Sequence, residues 1–355
     1  MGDIGTTLIG LTYSPQDVVP SDGTIVLRSS NIKGGLLEYT DLVRVNKKIK
    51  ESIITRTNDI LICARNGSAR LIGKNAILKD SDCGHTFGAF MMVYRSEDNP
   101  FVHQLLSTKR YYSQVAENLG ARINQITTSD LNSFEFSFPQ SNKEKVKIAG
   151  MLSLLDERIA TQIKIIEKLE SLIKGLYERL FNIDGAAYIQ LGNVAKILKG
   201  QQINGEELSE IGSYYVMNGG VVPSGYLEDF NTPANTISIS EGGNSCGYVQ
   251  YNGVPFWSGG HCYTLIEPIN SFNYKYLFHY LKFKEQSIMA LRIGSGLPNI
   301  QKKDLERFPI LNVSKEEQDK MACIFDDILD RIICERQIAL KYEEQKKYLL
   351  SNLFI

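Results

Sequence analysis

The sequence predicts an α+β protein in which two globular α/β domains are separated by two long antiparallel helices, which form an intramolecular coiled coil with pseudo-twofold symmetry. Two observations predict this fold class. A helical segment with heptad spacing, residues 155–181, returns in altered form at residues 328–354. The sequence upstream of each helix also repeats. The number of residues between matching positions falls from 190 at the start of the unit to 173 near the helix. A period of this length is typical of a duplicated domain.

The first long helix is predicted from a seam of apolar residues at heptad positions a and d. These positions hold Leu152, Leu155, Ile159, Ile166, Leu169, Ile173, Leu176 and Leu180, interrupted by Gln162. A helix with such a seam needs a partner helix. About 35 residues, at a rise of 1.5 Å each, make a rod of roughly 50 Å, which is much longer than an ordinary globular helix.

The second long helix has a weaker seam with the same spacing. Its apolar a and d positions include Phe325, Ile328, Ile332, Tyr342, Leu349 and Leu353. Glu335 and Lys346 fall on the same stripe, and we expect these polar residues, with Gln162, to fix the register between the helices. Because one chain carries two seams of matched length, we predict that they pair with each other. A homodimeric coiled coil is the alternative.

The domain that precedes each helix is predicted from matching elements. The segment 101–106 corresponds to 274–279, and each follows a predicted strand, 90–94 or 263–266. The start of the chain, residues 1–4, corresponds to residues 191–194. We therefore predict a first domain at 1–140, a first helix at 141–182, a second domain at 183–312 and a second helix at 313–355.

Composition predicts a soluble cytoplasmic protein. The 355 residues are 43% hydrophobic and 22% charged, and this balance supports well-formed cores. No apolar run reaches the roughly 18 residues of a membrane span, and the first residues do not have the pattern of a signal peptide. We expect the six cysteines to be reduced. The chain starts close to its first strand, so we expect that any N-terminal extension is missing.

The charge distribution is uneven although the net charge is only −1. Residues 28–74 contain ten Lys and Arg against four Asp and Glu, whereas residues 203–241 contain six acids and no Lys or Arg. The basic stretch mixes its charges with Asn, Ser and Gly, in RSSNIKGG (28–35) and ARNGSARLIGKN (64–75). Such residues suit phosphate positioning and base-edge hydrogen bonds in a DNA major groove. A solvated loop surface is the alternative.

Catalytic and metal-binding motifs are not found in the sequence. Gly73-Lys74-Asn75 does not have the spacing or the hydroxyl of a P-loop. Cys246, His261 and Cys262 do not have the paired spacing of a zinc site. Ser258 in WSGGH is not in the strand-to-helix turn of a nucleophile elbow. We therefore predict a chain that is not an enzyme and that holds no metal or cofactor.

The duplicated layout, with a Leu-Phe pair near the end of each helix, resembles the specificity (S) subunit of a type I restriction-modification system. The resemblance rests on four domain segments and on the repeated helix ends. The segments are GLTYSPQDV (10–18), IVLRSSNI (25–32), ISISEGGNSCGYVQY (237–251) and PFWSGGHCYTL (255–265), and the helix ends are LLDERI, LYERLF, ILDRII and LSNLF. The resemblance covers nearly the whole chain. It implies that each domain is a target recognition domain.

The resemblance also implies the partners. Double-stranded DNA would be read in two short, different parts, and the helices would set a fixed gap of about one turn and dock two methyltransferase (M) subunits. Restriction and translocation (R) subunits would join through that complex. S-adenosylmethionine, ATP and Mg²⁺ are expected in those partners. Two alternatives stay open, namely an enzyme of the type IIG kind and a coiled-coil scaffold with no nucleic-acid role.

The candidate DNA-contacting residues are polar or basic and lie in the predicted loops. In the first domain they are Arg28, Ser29, Asn31, Lys33, Arg65, Asn66, Ser68, Arg70, Lys74, Arg122 and Asn124. In the second they are Lys199, Gln201, Gln202, Tyr214, Tyr215, Asn218, Asn244, Arg292 and Asn299. Arg, Lys, Asn and Gln are the side chains that make bidentate contacts to guanine or adenine.

Overall fold

The computed structural model describes residues 1–119, 124–294, 296 and 298–354. The chain forms two compact units, unit 1 (Met1–Gln162 with Ile338–Ile355) and unit 2 (Ile163–Gln337). Each unit contains one globular domain and a segment of both long helices. This division differs from the four segments predicted from the sequence, because helix side chains are part of the domain cores.

In the described part of unit 1, ten strands precede the α-helices. They are β1 (Thr6–Ile9), β2 (Val18–Val19), β3 (Thr24–Leu27), β4 (Ile32–Lys33), β5 (Leu36–Leu37), β6 (Val43–Val45), β7 (Ile60–Cys63), β8 (Asn75–Ile77), β9 (Thr86–Phe87) and β10 (Met91–Arg95). The helices are α1 (Asn99–Leu105), α2 (Lys109–Leu119), α3 (Thr128–Ser133) and the long α4 (Asn142–Phe181), which continues into unit 2.

Two four-stranded sheets form the domain of unit 1. One has the order β1-β10-β7-β8 and is antiparallel throughout. The other has the order β2-β6-β3-β9, and its β3 and β9 are parallel. All four residues of β7 are buried, as are four of the five in β10, so these central strands are continuous apolar runs.

Unit 2 contains strands and helices in a matching order. They are β11 (Tyr188–Gln190), α5 (Leu191–Val194), β12 (Lys196–Lys199), β13 (Tyr214–Met217), β14 (Gly225–Leu227), β15 (Thr236–Ser240), β16 (Val249–Asn252), β17 (Trp257–Ser258), β18 (Cys262–Ile266), α6 (Tyr274–Phe283), α7 (Glu285–Met289), α8 (Lys302–Glu306), β19 (Pro309–Leu311) and the long α9 (Lys315–Leu353), which continues into unit 1. Its main sheet has the order β12-β18-β15-β16, and a smaller one has the order β14-β13-β17.

The two domains repeat one topology, which confirms the predicted duplication. In each main sheet the first strand pairs with the last one, β1 with β10 and β12 with β18. Each second sheet contains a parallel pair, Val26 with Thr86 and Val216 with Trp257. The predicted strands at 90–94 and 263–266 are β10 and β18, each within one residue at its ends.

The two long helices are antiparallel within each unit, as predicted. In unit 2, Arg336 bonds Glu170 at 2.5 Å, and the ring of Phe325 lies 4.6 Å from that of Tyr177. In unit 1, Lys346 bonds Asp156 at 2.5 Å. Residue numbers therefore rise along one helix as they fall along the other in unit 2. The same holds in unit 1, where Phe354 packs on the cluster that contains Ala149. The helix bounds lie within two residues of the predicted segments.

Most seam residues lie on the buried side of their helix. Leu152, Ile173, Phe325 and Ile332 are buried, and Leu155, Ile159, Ile166, Leu169, Leu176, Leu180, Ile328, Tyr342 and Leu349 are half-buried. The prediction for Leu353 is wrong, because this side chain is 37% exposed. Phe354 packs on Phe101 instead, with ring centroids 5.5 Å apart. A helix of 3.6 residues per turn drifts from a heptad stripe, and the drift is largest at its end.

Helix residues complete the domain cores. In unit 2, Ile173, Tyr177, Phe181 and Phe325 belong to the same apolar cluster as the sheet residues of the domain. In unit 1, Ala149 and Phe354 pack with Phe101 of α1. Removal of a helix would therefore expose domain core. No helix in the described part of the chain is long and apolar enough to cross a membrane.

Candidate nucleic-acid interface

A close approach of two glycine-bearing segments shapes the surface of unit 1. A Cβ added to Gly10 would lie 2.2 Å from the carbonyl oxygen of Gly88, so this position requires glycine. The amide of Leu11 donates to Phe87 O at 2.6 Å, and the amide of Ala89 donates to Leu11 O at 3.0 Å. These bonds place the end of β1 beside the segment between β9 and β10.

An open cleft of about 1120 Å³ lies at this place. Leu11, Tyr13 and Phe90 provide apolar surface in it. Five predicted residues also line the cleft, Arg28, Ser29, Arg65, Asn66 and Asn124. They come from three distant loops, and the fold brings them together. The cleft therefore combines apolar surface with hydrogen-bond donors, a combination that suits recognition of a planar base edge.

Hydrogen bonds hold several of these side chains in place. Arg28 donates to the carboxylate of Asp41 at 2.7 Å, and the amide of Asn66 donates to Ser29 Oγ at 3.0 Å. Asn124 donates to the carbonyl of Gly67 at 2.9 Å. The guanidinium of Arg65 lies 5.1 Å from the centroid of the Phe90 ring, within cation–π distance.

Besides Asn31, four described residues of unit 1 among those predicted lie outside the cleft lining. Lys33 is exposed and forms an ion pair with Glu38. Arg70 is exposed on a short 3-10 turn, Ser68 precedes that turn, and Lys74 is half-buried before β8. Arg122 lies outside the described residues.

The prediction that Asn31 contacts DNA is wrong. Its side chain is fully buried. Asn31 Oδ1 accepts from the amide of Arg28 at 2.9 Å, and Nδ2 donates to the carbonyls of Glu38 and Asp41, each at 3.1 Å. Asn31 is therefore a structural residue that shapes the loop around Arg28.

The equivalent surface of unit 2 is built on the same backbone. The backbone of Gln201 forms a parallel β-bridge with Gly259, as the backbone of Leu11 does with Gly88. A Cβ on Gly200 would lie 2.2 Å from the carbonyl oxygen of Gly259, which repeats the close approach at Gly10. Gln201 and Gln202 are exposed here, and Asn218 is half-buried. The predicted residues Gln201, Gln202 and Asn218 are therefore neighbours in space.

Electrostatics differ between the two surfaces. Glu241, 8% exposed, accepts from Lys199 Nζ at 2.6 Å and from the Tyr263 hydroxyl at 3.2 Å. Burial and the nearby Glu241 carboxylate raise the pKa of Tyr263 to about 12, so its hydroxyl remains a donor at neutral pH. His261 Nδ1 lies 3.7 Å from the same carboxylate. The unit 2 surface thus has a buried carboxylate beneath it, whereas arginines line the cleft of unit 1.

The remaining predicted residues of unit 2 lie in different environments. Tyr215 donates to Asn252 Oδ1 at 3.0 Å and stacks on buried Phe256, so it supports the core. Tyr214 packs on Phe230 with centroids 4.9 Å apart. Asn244 and Arg292 are exposed. Asn299 is half-buried, and its backbone pairs with that of Ile293.

Groups that could support catalysis or metal binding are dispersed or buried. No cluster of three or more His, Cys, Asp or Glu suited to a metal occurs among the described residues. The thiol of Cys246 donates to the carbonyl of Glu241, and burial raises the pKa of the Cys262 thiol to about 11. Ser258 is 2% exposed. The described surfaces therefore offer hydrogen bonding and shape to a ligand.

Two ring residues on these surfaces were missed by sequence reasoning. Phe90 is 59% exposed, and the His261 side chain is 59% exposed. Phe90 begins an apolar run, FMMVY, that predicts a buried strand, and His261 stands out in the sequence only as a possible zinc ligand or as the histidine near Ser258. An apolar run does not show which way its first residue points, because a strand end is free of the sheet's alternation.

Comparison with known proteins places the two domains in one family. Residues 22–171 and 184–343 each match the family described as "Type I restriction modification DNA specificity domain". The chain is 26% identical over 254 residues to a protein named as a type I specificity subunit in Mycoplasma genitalium, a match over 67% of this chain and 65% of that one. It is 28% identical over 179 residues to the EcoKI specificity subunit of Escherichia coli K12, a match over 48% of this chain and 38% of that one.

A solved structure has the same fold. The crystal structure of the S subunit of a type I restriction-modification system from M. genitalium superposes with a TM-score of 0.76, over 100% of this chain and 94% of that one, at 20% sequence identity. The matched segments span less than two thirds of the length of the curated relatives. Each family match covers most of one copy of the repeated topology, and the chain belongs to the type I restriction-modification DNA specificity family.

Proposed function

We propose that this chain is the DNA sequence-recognition subunit of a type I restriction-modification complex. Each domain would read one part of a bipartite target in the major groove of double-stranded DNA. The observation that supports this most directly is the repeated surface, built on one backbone and carrying different side chains. Leu11 and Arg28 stand in unit 1 where Gln201 and Asn218 stand in unit 2. Unlike surfaces imply an asymmetric target.

We propose that the long helices set the gap between the two parts of the target. A rod of 40 residues is roughly 60 Å long, and one turn of DNA is about 34 Å, so half-sites about one turn apart fall within its reach. The same helices would dock two methyltransferase (M) subunits, and restriction subunits would join through them. In this proposal catalysis, with its S-adenosylmethionine, ATP and Mg²⁺, belongs to those partners.

The test is to express the chain with its cognate methyltransferase subunits and to map methylated adenines across the host genome. We expect one two-part motif with a fixed gap and different sequences in its two parts. Methyltransferase subunits expressed alone are the control, and they should leave the genome unmodified at that motif. Modification that does not depend on this chain, or that shows no two-part motif, would contradict the proposal. It would favour the alternative of a coiled-coil scaffold.

A further inference from the structure

We propose that Phe90 and His261 determine base specificity in unit 1 and unit 2. Each acts with the charged side chain beside it, Arg65 in unit 1 and Glu241 in unit 2. This inference rests on the proposed function, because it assigns roles within a DNA-reading surface.

Phe90 and His261 occupy the same position in the duplicated fold. Each directly precedes the last strand of its main sheet, β10 or β18. The carbonyl of Phe90 accepts from the amide of Ala64 at 3.0 Å, and the carbonyl of His261 accepts from the amide of Glu241 at 2.9 Å. Since both backbones are fixed by equivalent bonds, each ring has a rigid support.

Both rings are exposed beside buried neighbours. Phe90 is 59% exposed, whereas the next residue, Met91, is 2% exposed. The His261 side chain is 59% exposed, and the next residue, Cys262, is 3% exposed. A single exposed apolar residue is ordinary on a protein surface. A large exposed ring at the same point in both copies, next to the grouped polar residues, is typical of a contact position.

The chemistry beside Phe90 fits a guanine and a neighbouring thymine. The Arg65 guanidinium lies 5.1 Å over the ring, and it forms no ion pair with a carboxylate in the described ranges. An arginine whose guanidinium is not engaged by a carboxylate can donate two parallel hydrogen bonds to guanine O6 and N7. An apolar ring such as that of Phe90 makes contact with the thymine methyl group.

The chemistry beside His261 fits adenine or cytosine. Its Nδ1 lies 3.7 Å from Glu241 Oε2, so the tautomer with its proton on Nδ1 directs that proton toward the carboxylate. The exposed Nε2 is then an acceptor for the exocyclic amine of either base. Glu241 itself is held by Lys199 and Tyr263. It therefore positions the imidazole, and the imidazole meets the base.

The experiment selects bound sequences from a randomised duplex pool with the full chain in complex with its methyltransferase subunits. The variants are Phe90→Ala, Phe90→Leu and His261→Ala. Ile9→Ala is the matched control, because Ile9 is 60% exposed and lies on the edge strand β1. We expect Phe90→Ala to lower selectivity about tenfold at one or two adjacent positions in one part of the motif. His261→Ala should act only on the other part, and Phe90→Leu should keep part of the thymine preference.

Three results would overturn the inference while the proposed function stands. They are variants that keep the wild-type motif, variants that weaken all positions equally, and variants that both affect the same part. A wild-type complex that selects no two-part motif would instead overturn the proposed function, and the inference with it. Ile9→Ala should reproduce the wild-type motif throughout.

Discussion

At the scale of single residues, burial separates the side chains that shape the interface from those that are available to DNA. Asn31 and Arg65 are both hydrogen-bonding side chains in the basic stretch of unit 1, yet Asn31 is fully buried and Arg65 is exposed. Asn31 satisfies three backbone groups of its own loop. Its loss would act on folding first and on DNA binding only through Arg28.

We expect Asn31→Ala to lower the free energy of unfolding of unit 1 by about 1–3 kcal/mol, because buried backbone groups lose their partners. Urea unfolding followed by circular dichroism measures this change. Ser30→Ala is the control, since Ser30 is exposed in the same turn. An unfolding free energy equal to that of the wild type would show that the backbone groups of the loop find other hydrogen-bond partners.

His103 makes the stability of unit 1 depend on pH. It is 9% exposed on α1, and its pKa is lowered to about 4, chiefly by burial; the nearby Asp156 opposes this shift and Lys346 adds to it. The unfolded chain binds a proton near pH 6.5, whereas the folded chain does not until about pH 4. Stability is therefore lost as the pH falls from about 6.5 to about 4.

We expect His103→Gln to remove this contribution, which amounts to about 3 kcal/mol between pH 7 and pH 4. The measurement is the difference in unfolding free energy between wild type and variant at several pH values in that window. The wild type should lose more stability than the variant as the pH falls. Parallel profiles for the two proteins would contradict the assignment.

At the scale of elements, the long helices are joined by a polar pair within an apolar seam. The side chain of Lys346 is 17% exposed and that of Asp156 is 32% exposed, and they bond at 2.5 Å. Asp156 also accepts from the amide of Gln104 on α1 at 3.3 Å. This pair thus links both helices to the domain of unit 1, and it places a charge where the heptad pattern calls for an apolar residue.

We expect Asp156→Ala to destabilise unit 1 by about 1–3 kcal/mol, because it leaves a largely buried ammonium without its partner. The double variant Asp156→Leu with Lys346→Leu should recover most of that loss, since matched apolar residues replace a buried ion pair at little cost. Thermal unfolding of the single and double variants tests this. A double variant less stable than Asp156→Ala would show that the pair itself stabilises the seam.

At the scale of the whole molecule, the proposed function makes the helices a spacer. We expect one heptad inserted after Gln162 and one after Gln337, where the chain divides into its units, to lengthen the rod by about 10 Å. At 3.4 Å per base pair, the gap in the target should grow by about three base pairs. Methylated-adenine mapping measures the gap. Both parts of the motif should stay unchanged.

An insertion of one heptad in α4 alone is the matched control, because it shifts one seam against the other and should lower the unfolding free energy. A double insertion that folds, methylates DNA and keeps the original gap would contradict the spacer role. A double insertion that changes the bases within either part would contradict independent reading by the two domains.

The sequence by itself determined the duplication, the two long helices and most of their seam. Heptad spacing and a repeated order of strands and helices are local or periodic, and they can be read along one chain. Phe354, the residue after α9, packs on Phe101 in place of Leu353, and a heptad pattern that covers only the helix did not show this. The heptad pattern also does not show that the helices contribute residues to the domain cores.

Only the tertiary structure decided which polar residues share a surface. Arg28, Arg65 and Asn124 lie far apart in sequence but line one cleft, and Asn31, next to them in the chain, is buried. Phe90 and His261 became comparable only when the hydrogen bonds of the two sheets were matched. Composition identifies side chains that can bind DNA, but the direction of each one depends on long-range pairing between strands and on loop closure around Gly10 and Gly200.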